Sequence, residues 1–138
     1  MIYEKELYHY LTLHFPIALF ITGYMFDVLS LIKSGNHFQN FSYWNIILGI
    51  CWGILSIITG FITDQEIGHM ENFLPVWTTH GTHMIVSTFL FIMFLSLKEL
   101  VKRKKIILSA KFFLLLHTGL IMFFIHGAHM GAKLADRL

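Results

Sequence analysis

The sequence predicts an all-α membrane protein, a four-helix up-down-up-down transmembrane bundle, and three observations predict it. Hydrophobic residues make up 56% of the chain and charged residues only 13%, too apolar for an ordinary soluble domain. The apolar residues gather into four long runs, each close to the roughly 20 residues that cross about 30 Å of hydrocarbon at 1.5 Å per residue. The links joining the first run to the second and the third to the fourth are short, which makes successive spans antiparallel. At 138 residues the chain forms one domain, 1–138.

The first run, Phe15–Ile32, is interrupted only by Thr22, Gly23, Asp27 and Ser30, and predicts a span over about 12–33. It is too long for a removable signal peptide and lacks a small-residue cleavage site. The second, Trp44–Ile62, has no charge and predicts a span over about 43–63. The third, Met84–Leu97, extends with its flanks to about 79–101. The fourth, Ile106–Ile125, carries Lys111 and His117 and predicts a span over about 106–128. A buried soluble bundle would show a polar face on each helix, whereas these runs are apolar nearly all round. Trp44, Trp77 and the tyrosines suit the interfacial belts.

Lysine and arginine set the expected orientation. Lys33, Lys98, Lys102, Arg103, Lys104, Lys105 and Lys111 fall on one side, and Lys5, Lys133 and Arg137 on the other. The excess places the first side in the cytoplasm, with both termini and the middle loop facing the periplasm across the inner membrane. The outer side also carries Glu4, Glu6, Asp64, Glu66, Glu71 and Asp136. The run Lys102–Lys105 is read as topological. A net charge of +2 with no basic patch and interleaved aromatics argues against nucleic acid as a partner. No nucleophilic triad, phosphate-binding glycine loop or zinc-protease motif is present, so no catalytic residue is assigned. Cys51, the single cysteine, has no partner for an intrachain disulfide.

The candidate chemistry lies in nine histidines. Under this topology His9, His14, His69, His80, His83, His126 and His129 lie at the outer face. His117 is near mid-membrane and His37 in an inner link. Helical spacing puts Thr118, Met122, His126, His129, Lys133 and Asp136 on one stripe of the fourth helix, and His80, His83 and Ser87 on one face of the third. His14, Ala18 and Met25 share a face of the first helix. Gly49, Gly53, Ser56, Gly60 and Asp64 form a small-residue stripe on the second. The expectation is that these stripes meet inside the bundle.

A lone histidine at a membrane interface is ordinarily just interfacial, and His9, His37 and His69 are read that way. The Gly49–Gly53 spacing is read first as close helix packing. Asp27 is read as a hydrogen bond to a neighbouring helix, with nothing further in the sequence to support a proton relay. The set His14, His80, His83, His126 and His129 is different, because five imidazoles coincide in depth and intramembrane ionisable groups are usually functional. Imidazole ligates haem iron and several other metals.

The segment His9–Leu19, reading His-Tyr-Leu-Thr-Leu-His-Phe-Pro-Ile-Ala-Leu, resembles the opening motif H-P-x-x-V-H-F-P-I-A-L-L of a family of bacterial membrane domains. Gly60-Phe61-Ile62-Thr63-Asp64, the histidines His80 or His83, and the glycine-rich Gly127–Leu134 resemble later parts of that family in order. Tyr10 stands where the family usually has proline. The resemblance implies four spans and, because members sometimes adjoin c-type cytochrome modules, a redox setting. It brings no activity of its own.

Two metal-bearing readings follow. The first is a b-type cytochrome, an electron-transfer protein rather than a stand-alone enzyme. Haem b would be ligated by His14 and His83 from diagonal helices, with His126 or His129 replacing either and His80 as a further candidate. Its partners would be the bilayer, a quinol or c-type cytochrome, and further copies in an oligomer. The second is a non-haem metal ion held by His14, Asp64, His83 and His129, with His126 nearby. The third reading is a structural subunit whose histidines only hydrogen-bond.

Overall fold

Each apolar run becomes one helix. The computed structural model describes residues 2–33, 36–67 and 75–135, and the side chains of 7–33, 37–63 and 75–134. Helix α1 spans Ile2–Ile32, α2 Asn36–Ile67, α3 His80–Lys102 and α4 Ala110–Ala135, with no strand among the described residues. All four are long and apolar enough to cross a membrane. Helices α1 and α2 have 31 and 32 residues. At 1.5 Å per residue both are longer than the hydrocarbon is thick, so their ends reach into the interface.

Helix α1 packs on α2 and α4, and α3 packs on the same two, while the backbones of α1 and α3 stay apart and only their side chains meet across the axis. The bundle is therefore square, with α1 and α3 on a diagonal. The α1–α2 contact is the closest, and glycine explains why. A Cβ on Gly49 would lie 2.6 Å from the Phe20 ring. Only a residue without one lets that ring enter the bundle axis.

The last turn of α3 is closed by a Schellman motif: Lys105 N–H donates to the Leu100 carbonyl and Lys104 N–H to the Val101 carbonyl, both at 2.9 Å. Lys104 takes the left-handed conformation, φ 56°, where glycine is usual. Helix α4 starts at Ala110, four residues after the predicted 106. The cause is Ser109, whose Oγ accepts the Phe112 N–H at 3.1 Å and so caps the helix. Ile106–Leu108 is apolar but precedes that cap.

The centre is aromatic. Phe20 of α1 stacks on Phe91 of α3 with centroids 3.7 Å apart, and Phe124 of α4 meets Phe20 edge-on at 5.1 Å. These three rings are almost wholly buried. Around them lie Ile46 and Ile50 of α2. The plug separates a histidine-bearing end of the bundle from a basic end.

The stripe expectation holds on two helices and fails on two. Gly49, Gly53 and Ser56 of α2 and His83 and Ser87 of α3 are buried as expected. On α4 the buried positions are Phe113, His117, Leu120, Phe124 and Gly127, so Met122, His126, His129 and Lys133 lie on the exposed side. On α1 they include Pro16, Phe20, Gly23 and Asp27, and His14, Ala18 and Met25 are exposed. The reason is that imidazoles at interfacial depth are solvated by headgroups and water, so nothing forces them inward.

Candidate functional site

The buried polar chemistry lies in the basic half. Asp27 of α1, Lys98 of α3 and His117 of α4 converge there, with Ser42 of α2 beside them. Lys98 Nζ donates to Asp27 Oδ1 and Oδ2 at 2.6 and 2.7 Å and to Ser42 Oγ at 2.9 Å, which uses all three of its donors. His117 Nδ1 lies 2.8 Å from Asp27 Oδ2. A carboxylate there can only accept, so Nδ1 carries the proton and the ring is held as that tautomer.

Burial makes this arrangement consequential. His117 is 0% exposed and Asp27 7%. His117 Nε2 has no hydrogen-bond partner and no access to solvent. Its ring lies in an aromatic cage: Phe94 at 4.8 Å, Phe91 at 5.8 Å and Tyr24 perpendicular at 5.5 Å. Tyr24 is fixed in turn by the Thr118 hydroxyl at 3.2 Å. The Lys98 ammonium also lies 5.3 Å from the centroid of Phe94. All four helices therefore contribute to holding one carboxylate, one ammonium and one imidazole.

A cavity of about 390 Å³ opens beside the cluster. Asp27 and Lys98 form part of its wall, together with Gln39, Asn40, Tyr43 and Lys102. His117 is not part of that wall. The triad thus runs from a cavity-facing carboxylate to an imidazole sealed against the aromatic plug.

The histidine end is organised differently. His83 of α3 is wholly buried, stacked on Phe123 at 3.9 Å, and its Nε2 donates to the Phe123 carbonyl at 2.8 Å. Its Nδ1 has no partner. His80 Nδ1 donates to the Gly127 carbonyl at 2.8 Å. Gly127 and Gly131 of α4 receive these two rings, since a Cβ would lie 2.5 Å from His83 and 2.6 Å from His80. His9 Nδ1 reaches Thr59 Oγ1 of α2 at 3.2 Å, so His9 joins helices rather than merely facing the interface.

The residues expected to ligate a metal are mostly apart. His14 is exposed, and its Nδ1 donates to the Tyr10 carbonyl of its own helix at 2.7 Å. His83 faces α4, so the structure does not bring His14 and His83 together. His126 is exposed, but its ring lies 5.4 Å from that of His83 at 60°. His129 is exposed on the same side of α4. The Asp64 side chain and His69 lie outside the described residues. Among the described residues no three His, Cys, Asp or Glu side chains gather in a way that could hold a metal ion. A haem plane between two imidazoles needs rings facing each other across an open slot. The 60° His83–His126 pair is not that, and the bundle centre is filled by phenylalanine. The described histidines do not fit a bis-histidine haem.

The fold and this cluster define an all-α membrane protein with four candidate spans and a buried Asp–Lys–His triad inside them. Residues 8–138 match the family model described as predicted membrane protein DUF2231, and the chain belongs to that family. No curated protein matches the chain, and no solved structure does.

Proposed function

We propose that this is a proton-handling membrane protein, in which Asp27, Lys98 and His117 exchange a proton between the bundle interior and the basic end. One observation carries the reading: His117 is held by a carboxylate at Nδ1 while its Nε2 is buried with no partner. An imidazole accepts a proton at one nitrogen and releases one from the other, so a proton reaching Nε2 is matched by passage of the Nδ1 proton to Asp27, which faces the cavity. Lys98 balances the carboxylate at rest, and Asp27 stabilises the imidazolium once His117 is charged. Ionisable groups in a span that pair with one another commonly mark proton paths.

The lysine and arginine excess supports placing the basic end in the cytoplasm and the chain in an inner membrane. Protons would then be exchanged with the cytoplasm.

The test is 15N NMR of the histidine-labelled protein in a neutral detergent, with the His117 signals assigned by their loss in His117→Phe. Reversible proton uptake at His117 Nε2 between about pH 8 and 5 is expected, weakened in Asp27→Asn. A His117 ring that stays neutral across that range, or uptake unchanged in Asp27→Asn, overturns the reading.

A second reading, a metal-bearing redox protein, is favoured by the unpartnered Nδ1 of His83 beside His126. Two imidazoles at that angle suit neighbouring positions on one metal ion better than opposite faces of a haem. A reduced-minus-oxidised spectrum with no b-type band, from cells supplied with haem, removes the cytochrome form. Metal analysis of the same sample then decides the ion.

A further inference from the structure

We propose that the cavity at the basic end binds the phosphate-bearing headgroup of an anionic phospholipid. Its volume of about 390 Å³ falls within the usual range of small-ligand sites. It has two kinds of wall. Gln39, Asn40 and Lys102 offer hydrogen-bond donors, while Val101, Leu108 and Phe113 offer apolar surface. An amphiphile satisfies both walls at once, and a bare ion satisfies only the first.

The charges around the cavity favour an anion. Asp27 is matched by Lys98. Glu99 is matched by Arg103 at 2.6 Å and accepts the Tyr43 hydroxyl at 2.9 Å on its other oxygen. Both carboxylates near the site are therefore already paired. The Lys102 ammonium lies 4.8 Å from the Tyr43 centroid and makes no ion pair among the described residues. It is the cation at the cavity wall left to meet a ligand. Exposed Lys33, Lys104, Lys105 and Lys111 surround the same end and raise the local concentration of anionic lipid. Basic pockets between spanning helices are suited to anionic headgroups. The proposal does not rest on proton uptake by His117, and its test reads binding alone.

The probes are phosphatidylglycerol, phosphatidylcholine and inorganic phosphate, each added to the purified full chain in a neutral detergent. Native mass spectrometry counts bound lipid, and the thermal midpoint reports stabilisation. Phosphatidylglycerol is expected to bind and raise the midpoint, phosphatidylcholine to do neither, and inorganic phosphate to bind at least tenfold more weakly. Lys102→Gln combined with Asn40→Leu is expected to weaken phosphatidylglycerol binding at least tenfold. Lys104→Gln with Lys105→Gln, away from the cavity, should weaken it less than twofold. All four positions are exposed, and circular dichroism checks that each variant keeps its helices. Equal binding of the two lipids overturns the proposal, as does wild-type binding by the Lys102/Asn40 variant. An equal loss in the Lys104/Lys105 variant would make the effect a general attraction of the basic end and overturn it too. Phosphate competing as strongly as the lipid would replace the lipid with the free ion.

Discussion

Asp27 shows how much one carboxylate can organise when it is placed in hydrocarbon. An isolated charge there is costly, and this one is accommodated by hydrogen bonds from helices α3 and α4. The energetic consequence is a coupling between partners. Asp27→Asn leaves the Lys98 ammonium without its counter-charge, and Lys98→Met leaves the carboxylate with only His117. Each single change is expected to destabilise the bundle by about 3 kcal/mol, near the lower end for buried pairs because the cavity admits water to Lys98. The double variant leaves no orphaned charge and should cost less than the sum. Denaturation of the four proteins in mixed micelles measures the cycle, and strictly additive losses would show that the pair is not coupled. The hydrogen-bonding role of Asp27 was legible in the sequence, but its partners were not. Lys98 adjoins the basic loop and reads as a topology signal, and His117 reads as an isolated mid-span histidine. Depth would have linked them. Asp27, Lys98 and His117 stand five, four and seven residues from the basic ends of their helices, about 6–11 Å at 1.5 Å per residue.

At the scale of elements, the four spans were legible because hydrocarbon demands long apolar runs and little else produces them. Helix phase was harder to read. A polar stripe identifies the buried face only where burial is the sole way to satisfy polar groups, and at interfacial depth it is not. Small residues proved the better guide, because glycine marks where another side chain enters. Gly127 and Gly119 make opposite predictions on the same helix. A Cβ at Gly127 would meet His83 Cδ2 at 2.5 Å and Met84 Sδ at 2.8 Å, and the His83 ring is pinned by Phe123. Gly127→Ala is therefore expected to destabilise by about 1–3 kcal/mol through overpacking. A Cβ at Gly119 would meet nothing within 4 Å. Gly119→Ala should stabilise by about 0.5–1 kcal/mol by removing helical glycine. Thermal midpoints in one detergent compare the pair, and two shifts of the same sign would refute the packing assigned to α3 and α4.

For the whole molecule, the aromatic plug makes sidedness matter. Phe20, Phe91 and Phe124 close the axis between the Asp27–Lys98–His117 cluster and the histidine end, so the cluster communicates with the compartment that the basic end faces. Orientation decides which compartment that is. Pairing of Lys98 with Asp27 and of Arg103 with Glu99 leaves Lys33, Lys102, Lys104, Lys105 and Lys111 without an ion pair among the described residues at the basic end. That excess still favours a cytoplasmic basic end. The check is labelling of intact cells with a membrane-impermeant maleimide, in a Cys51→Ser background that removes the native thiol. Thr78→Cys, exposed in the turn before α3, is expected to label directly, and Lys105→Cys, exposed after it, only once the cells are permeabilised. The reverse pattern would turn the bundle over. The cavity would then open to the outside, the Asp27 carboxylate would exchange protons with that side, and the lipid available to Lys102 would be that of the outer leaflet.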